Sequence, residues 1–205
     1  MNHRTTRPVS SVFAWTALLL VVATAQSTAR ADDAEAAAVL EAFRSYNNAM
    51  MALKPEEMSE LQHAVTDEEK SVAAAAVETD LAVARLKLAA MEAYGDGADR
   101  KIGQAVGDIS NDDLHLAKVT VTGDRAVVNF AAEAPGGGGG SLPMIKVNGQ
   151  WKFDMTQPAA VQPQLAAAAE RYLQRAKATD QVTAAIKASK FETLDEAIAE
   201  VRRSL

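Results

Sequence analysis

The stretch "MIKVNGQWKFDM", Met144–Met155, predicts a β-hairpin. Two runs of β-branched, aromatic and large apolar residues flank Asn148-Gly149, and both turn residues tolerate the positive φ of a type I′ turn. A two-residue turn also fixes which residues face each other across the hairpin. The predicted pairs are Lys146 with Trp151 and Met144 with Phe153, and the predicted helix-packing face is Met144, Trp151, Phe153 and Met155.

The residues before this hairpin continue its two-residue period. The runs Leu116–Thr122 and Arg125–Ala132 alternate apolar and polar side chains around Gly123-Asp124, a second two-residue turn. The two strands of the Asn148-Gly149 hairpin are predicted at Leu142–Val147 and Trp151–Met155. Together the runs predict an antiparallel meander of about four strands, curved around packing helices.

Five consecutive glycines lie in "APGGGGGSLP", Ala134–Pro143, between the second and third of these strands. A phosphate-binding loop of the Walker type has a lysine after its last glycine and opens a helix. Here Ser141 follows the glycines and a strand comes next, and the dinucleotide-binding glycine motif fails for the same reason. We therefore predict a hairpin loop, with a loop that gates a ligand site as the alternative.

The chain before the meander has the 3.6-residue period of amphipathic helices. A capping box at Thr66–Glu69 begins a long helix that Gly95 ends. One straight helix would be long for a domain of this size, so a bend or break near Thr79-Asp80 is the alternative. The predicted apolar stripes are Val39, Phe43, Tyr46 and Met50 on the first helix and Val77, Leu81, Ala84, Leu88 and Met91 on the long one.

The residues after the meander are also helical. Pro163 opens one helix, a second segment contains Val182 and Ile186, and a capping box at Thr193 begins the last helix. The apolar stripe of that last helix either docks on the core or binds a partner. The predicted fold class is α+β, with N-terminal helices packed on a curved antiparallel sheet over residues 32–158 and a C-terminal helical extension over residues 159–205.

The first residues have the pattern of an export signal. Arg4 and Arg7 precede a 14-residue apolar run, Val12–Ala25, and Ala29-Arg30-Ala31 has the small-x-small form of a cleavage site. We expect cleavage after about Ala31 and export to the periplasm or the medium, with a retained membrane anchor as the alternative. Because the apolar run is short for a bilayer core, we expect no stable membrane span after cleavage.

Charge and cysteine content exclude several classes of partner. Residues 1–31 contain three of the 21 basic residues and none of the 27 acidic ones, which leaves the processed chain with a net charge of about −9. Such a chain repels nucleic acid, so we expect no nucleic-acid partner. The chain has no cysteine, and therefore no disulfide, thiolate nucleophile or thiolate metal site.

The order of helices, "VTVTGDRAVVNF", a glycine-rich turn and "IKVNGQWKFDM" resembles the nuclear transport factor two-like (cystatin-like α+β) superfamily, and in particular its exported bacterial members of unknown function. In that pattern one strand reads "gd.A.V" and its partner ends "k.dG.Wk". The corresponding residues here, within a match over about residues 35–155, are Gly123, Asp124, Ala126, Val128, Gly149, Trp151 and Lys152. The resemblance implies a curved sheet wrapped around a pocket. Its members include isomerases, dehydratases and cyclases beside non-catalytic binding modules, so fold alone does not decide function.

Few residues suggest a site. In "NDDLH", Asp113 and His115 would share a face if a strand had begun there, and they could then form an acid/base pair. The same residues also suit a turn, and two ligands are too few for a metal. Tyr46 and Trp151 are the aromatic residues expected near any ligand pocket. We predict no cofactor and no metal site.

Three functions follow from these observations. The first is an exported, non-catalytic domain that binds a small molecule or a protein. The second is a small isomerase, dehydratase or cyclase-like enzyme that uses Asp113, His115 or Tyr46, which requires one of them to line a concave pocket. The third is a helical, envelope-associated assembly protein. We leave catalysis undecided and favour the binding module.

Overall fold

The computed structural model describes residues 33–130 and 140–204. The predicted signal, residues 1–31, and most of the glycine-rich loop lie outside these residues. The elements, in chain order, are α1 (33–51), α2 (Pro55–Glu60), β1 (Gln62–His63), α3 (Asp67–Tyr94), α4 (Ala98–Val106), a 3-10 helix (Asn111–Leu116), β2 (Lys118–Thr122), β3 (Arg125–Phe130), β4 (Gly140–Val147), β5 (Gln150–Asp154), a second 3-10 helix (Gln162–Gln164), α5 (Leu165–Lys187) and α6 (Leu194–Ser204).

The predicted α+β class is confirmed. The strands form one open sheet in the order β1-β5-β4-β3-β2, and C-terminal helices follow the sheet. Strands β2 to β5 are the predicted antiparallel meander. The fifth strand, β1, was not predicted and runs parallel to β5 at the edge of the sheet. It has two residues, which is too short to show a period.

The hairpin of β4 and β5 has the predicted register. Lys146 pairs with Trp151 and Met144 pairs with Phe153. The turn residues have φ values of 51° at Asn148 and 82° at Gly149, as a type I′ turn requires.

Helix α1 covers one face of the sheet. Its predicted stripe is buried, and Phe43 lies 5.4 Å from Phe153 and 5.7 Å from Phe130 between ring centroids, in edge-to-face contacts. The buried residues of this core are Val39, Phe43, Leu114, Ala126, Val128, Phe130, Met144 and Trp151.

Helix α3 is continuous from Asp67 to Tyr94, without a break near Thr79-Asp80. The predicted capping box is present: Thr66 Oγ1 accepts from the Glu69 amide at 3.2 Å, and Glu69 Oε2 accepts from the Thr66 amide at 3.0 Å. The predicted stripe is wrong toward its end, because Met91 is 37% exposed whereas Leu86 is fully buried. The reason is that α5 packs along α3, so α3 is buried on more than one side.

The C-terminal helices pack on the rest of the protein. Helix α5 is one helix where two segments were predicted, and it contacts α3 along its length. The stripe of α6, including Ile198 and Val201, is buried, and α6 packs on α4 and α5, so this stripe docks on the core. Among the residues that the structure describes, no helix is both long enough and apolar enough to cross a membrane.

Candidate ligand-binding cavity

A cavity of about 310 Å³ lies where α1, α3 and α5 meet the edge of the sheet. Its walls are mainly apolar and aromatic, as in most small-molecule sites. Helices α1, α3 and α5 and strand β5 each contribute side chains, and the segment after α4 closes one side. The lining residues include Phe43, Tyr46, Gln62, Ala76, Asp80, Asp108, Phe153, Tyr172 and Arg175.

Asp80 places a carboxyl group in this cavity from the middle of α3. Its Oδ2 accepts a hydrogen bond from the Tyr46 hydroxyl at 2.6 Å, and that hydroxyl accepts in turn from Gln62 Nε2 at 3.4 Å. Within the described residues, no group donates a hydrogen bond to Asp80 Oδ1. Every fully buried side-chain oxygen of these residues has a partner, so Oδ1 is not fully buried. Since Asp80 is partly exposed and lines the cavity, Oδ1 is open to its interior.

Burial changes the proton affinity of this carboxyl. Removal from water raises the pKa of Asp80 to about 6, although the hydrogen bond from Tyr46 lowers it in part. The negative charge of Asp108 raises it further, and the positive charge of Arg175 opposes that effect. No ion pair joins Asp80 to a cation within the described ranges, so its charged form is stabilised by the hydrogen bond from Tyr46 and by the more distant charge of Arg175.

Tyr46 keeps its proton under all ordinary conditions. Burial, followed by the charge of Asp80, raises the pKa of the Tyr46 hydroxyl far above its usual value. Its single proton points to Asp80 Oδ2, so this hydroxyl positions the carboxyl and is not free to donate to a ligand at the same time.

Three polar contacts hold the wall formed by the end of α4 and the segment that follows it. Lys87 Nζ donates to Asp108 Oδ2 at 2.7 Å, and the Lys87 side chain is almost fully buried. Asn47 Nδ2 donates to the backbone oxygen of Ile109 at 3.0 Å. Arg175 lies at the exposed side of the cavity, where its Nη2 donates to the backbone oxygen of Val106 at 2.9 Å. These contacts tie α1, α3 and α5 to the same short segment.

Of the four residues suggested by the sequence, Tyr46 lines this cavity. Trp151 does not line it. Its ring is buried under α1, and its Nε1 donates to Glu35 Oε2 at 2.9 Å. Glu35 also accepts from Lys146 Nζ at 2.7 Å, so Trp151 and Lys146 anchor the start of α1 to the hairpin.

Asp113 and His115 lie in a separate polar cleft beside α4. Their segment is a 3-10 helix, and the strand begins later, at Lys118. The Asp113 carboxylate caps this helix by accepting from the hydroxyl of Ser110 at 2.7 Å and from its amide at 3.1 Å. His115 is exposed, and its Nδ1 contacts the backbone oxygen of Asp112. In the described chain no hydrogen bond joins Asp113 to His115, and no three histidine or acidic side chains cluster as metal ligands would.

Asp80 was not among the residues that the sequence suggested. A signal was present: Asp80 follows Val77 by three residues and precedes Val83 and Ala84 by three and four, so it interrupts the apolar surface of α3. A charged residue in that position costs free energy of folding unless a partner compensates it, so its presence there suggests a function. Asp108 and Arg175 line the cavity only because of the tertiary fold, and no comparable pattern in the sequence indicated them.

Comparison with known proteins found no matching family model, no matching curated protein and no matching solved structure.

Proposed function

We propose that this protein is an exported small-molecule-binding protein whose ligand occupies the cavity between α1, α3, α5 and the sheet. Export rests on the pattern of residues 1–31. Binding rests on one observation above all: Asp80 Oδ1 faces an otherwise mainly apolar cavity without a donor from the described residues. A partly buried carboxylate costs free energy that a bound donor would recover.

The hydrogen bond from Tyr46 favours binding over catalysis. An enzyme of the isomerase or cyclase type needs an acid that polarises a substrate oxygen, and the proton of Tyr46 is committed to Asp80. The raised pKa of Tyr46 further opposes proton transfer from it. Asp80 therefore serves as a recognition group, and Tyr46 does not add an acid to it.

Native mass spectrometry of protein purified from its own host tests the binding role. We expect a small molecule to remain bound to the parent protein. The variant Ala76→Phe should lose it, because Ala76 lines the cavity and a phenyl ring would fill much of its volume. Ala74→Phe is the matched control, since Ala74 is exposed on the same helix and does not line the cavity.

The two variants separate the possible outcomes. Loss of the molecule from Ala76→Phe alone supports the cavity. Equal retention by both variants would place the ligand elsewhere, and a parent protein without any bound molecule would count against the binding role.

A proton-transfer enzyme is the second candidate, favoured by the pKa of about 6 at Asp80. A base near neutrality suits abstraction of a proton beside a carbonyl group. The test is exchange of the α-protons of cyclohexanone in deuterated water, followed by NMR. Catalysed exchange that disappears in Asp80→Asn would support an enzyme, whereas exchange at the background rate would reject this candidate.

A further inference from the structure

The charges around the cavity specify a class of ligand. Three lining residues are charged at neutral pH: Asp80, Asp108 and Arg175. Asp108 is paired with Lys87 at 2.7 Å. Arg175 is exposed and donates to a backbone oxygen. The carboxylate that faces the interior without a cation at contact distance, within the described residues, is therefore that of Asp80.

The remaining walls suit the apolar part of an organic cation. Phe43, Tyr46 and Phe153 lie together, with ring centroids 5.4 Å apart for Phe43 and Phe153 and 4.9 Å apart for Tyr46 and Phe153. Aromatic faces attract ammonium groups as well as apolar carbon. A cavity of about 310 Å³ is at the small end of the range for ligand sites, which limits the ligand to a compact molecule.

We propose that the cavity binds a small organic amine, whose ammonium group donates to Asp80 Oδ1 and whose apolar part lies against Phe43 and Phe153. This inference rests on the proposed binding function and adds the charge of the ligand. An ammonium supplies three donors and a positive charge, so it satisfies Oδ1 and balances the carboxylate together. A neutral alcohol would supply only the hydrogen bond. A carboxylate would be repelled.

Three probes of similar size test this proposal: 2-phenylethylamine, 2-phenylethanol and phenylacetate. Their dissociation constants are measured by isothermal titration calorimetry with the purified protein at neutral pH. We expect the amine to bind at least about tenfold more tightly than the alcohol, or about 1.4 kcal/mol, and phenylacetate to bind more weakly than both.

Two variants identify the group responsible. Asp80→Asn preserves the shape and an oxygen acceptor for Tyr46 while it removes the charge, so the amine should lose its advantage over the alcohol. Glu78→Gln removes a carboxylate from the outer side of the same helix, where it pairs with Arg85, and should leave the preference intact. The intrinsic fluorescence of buried Trp151 verifies that each variant is folded.

The proposal is overturned if the alcohol or phenylacetate binds as tightly as the amine, if Asp80→Asn keeps the preference, or if no probe binds. These failures are distinct from failure of the binding function itself. If the host-purified protein retains a molecule that Ala76→Phe releases, the binding function stands although the amine class is refuted. If no molecule is retained and no probe binds, both proposals fail.

Discussion

Compared with the parent protein, Asp80→Asn should be more stable at neutral pH than it is in mild acid. The pKa of Asp80 is about 6 in the folded protein, against an ordinary value of 3.8. The folded state thus binds a proton more tightly than the unfolded state. The stabilisation from this group is fully present below about pH 3.8 and is lost as the pH rises through about 6.

The magnitude follows from the size of the shift. A shift of about two pKa units corresponds to about 3 kcal/mol between the acidic and alkaline limits. Between about pH 8 and about pH 4.5, where most proteins still fold, about 2 kcal/mol of this difference is accessible. The asparagine variant cannot titrate at this position, so its free energy of unfolding should lack that component.

The assay is urea unfolding of both proteins at several pH values, followed by fluorescence of Trp151, the only tryptophan after the predicted cleavage site. The quantity of interest is the free energy of unfolding of Asp80→Asn minus that of the parent. We expect it to increase by about 2 kcal/mol from about pH 4.5 to about pH 8. Glu78→Gln, on the outer side of α3, controls for loss of a carboxylate elsewhere on the helix. A difference that stays constant with pH, or that decreases, would refute the assignment of Asp80 as a partly buried carboxyl with a raised pKa.

Three further predictions concern contacts outside the cavity. Glu69→Gln should lower the free energy of unfolding by about 3 kcal/mol, because the Glu69 carboxylate accepts from the amides of Val65, Thr66 and Gln157 at 2.8–3.0 Å. Those amides hold the pKa of Glu69 at about 2. The difference in free energy of unfolding between the parent and this variant should therefore be present above about pH 4.5 and shrink as the pH falls toward 2. Equal stability of the two proteins at pH 7 would contradict this. Gly149→Ala should cost about 1 kcal/mol in urea unfolding because φ is 82° there, and a neutral result would mean that the turn changes its type. Glu35→Gln should speed hydrogen exchange in the first turn of α1, since the charged acceptor of Lys146 and Trp151 is lost; unchanged exchange would show that this anchor is dispensable.

Local signals predicted much of the fold. The register of the β4–β5 hairpin follows from Asn148-Gly149, because turn chemistry and strand pairing involve the same few residues. The start of α3 follows from its capping box for the same reason. Strand β1 could not be predicted, since its two residues pair with β5 only after the chain has folded back.

The candidate site was predicted only in part. Tyr46 was found through its aromatic character and its place on the α1 stripe, and it does line the cavity. Its partner Asp80 is 34 residues away in sequence, and no local pattern joins the two. Trp151 was expected near a pocket for the same reason as Tyr46, but the acceptor Glu35 holds its indole under α1 instead. Residue type thus indicated candidates, and tertiary contacts decided among them.

The central position of α3 has a consequence for biosynthesis. Its two halves are buried largely by residues that are translated after the sheet: Leu165 and Ala169 pack with the first half, and Val182 and Ile186 pack with the second. A nascent chain that has completed the sheet still exposes one apolar side of α3 until α5 emerges from the ribosome. Because exposed apolar surface makes a folding chain prone to aggregate, the growing chain should depend on a chaperone until α5 is made.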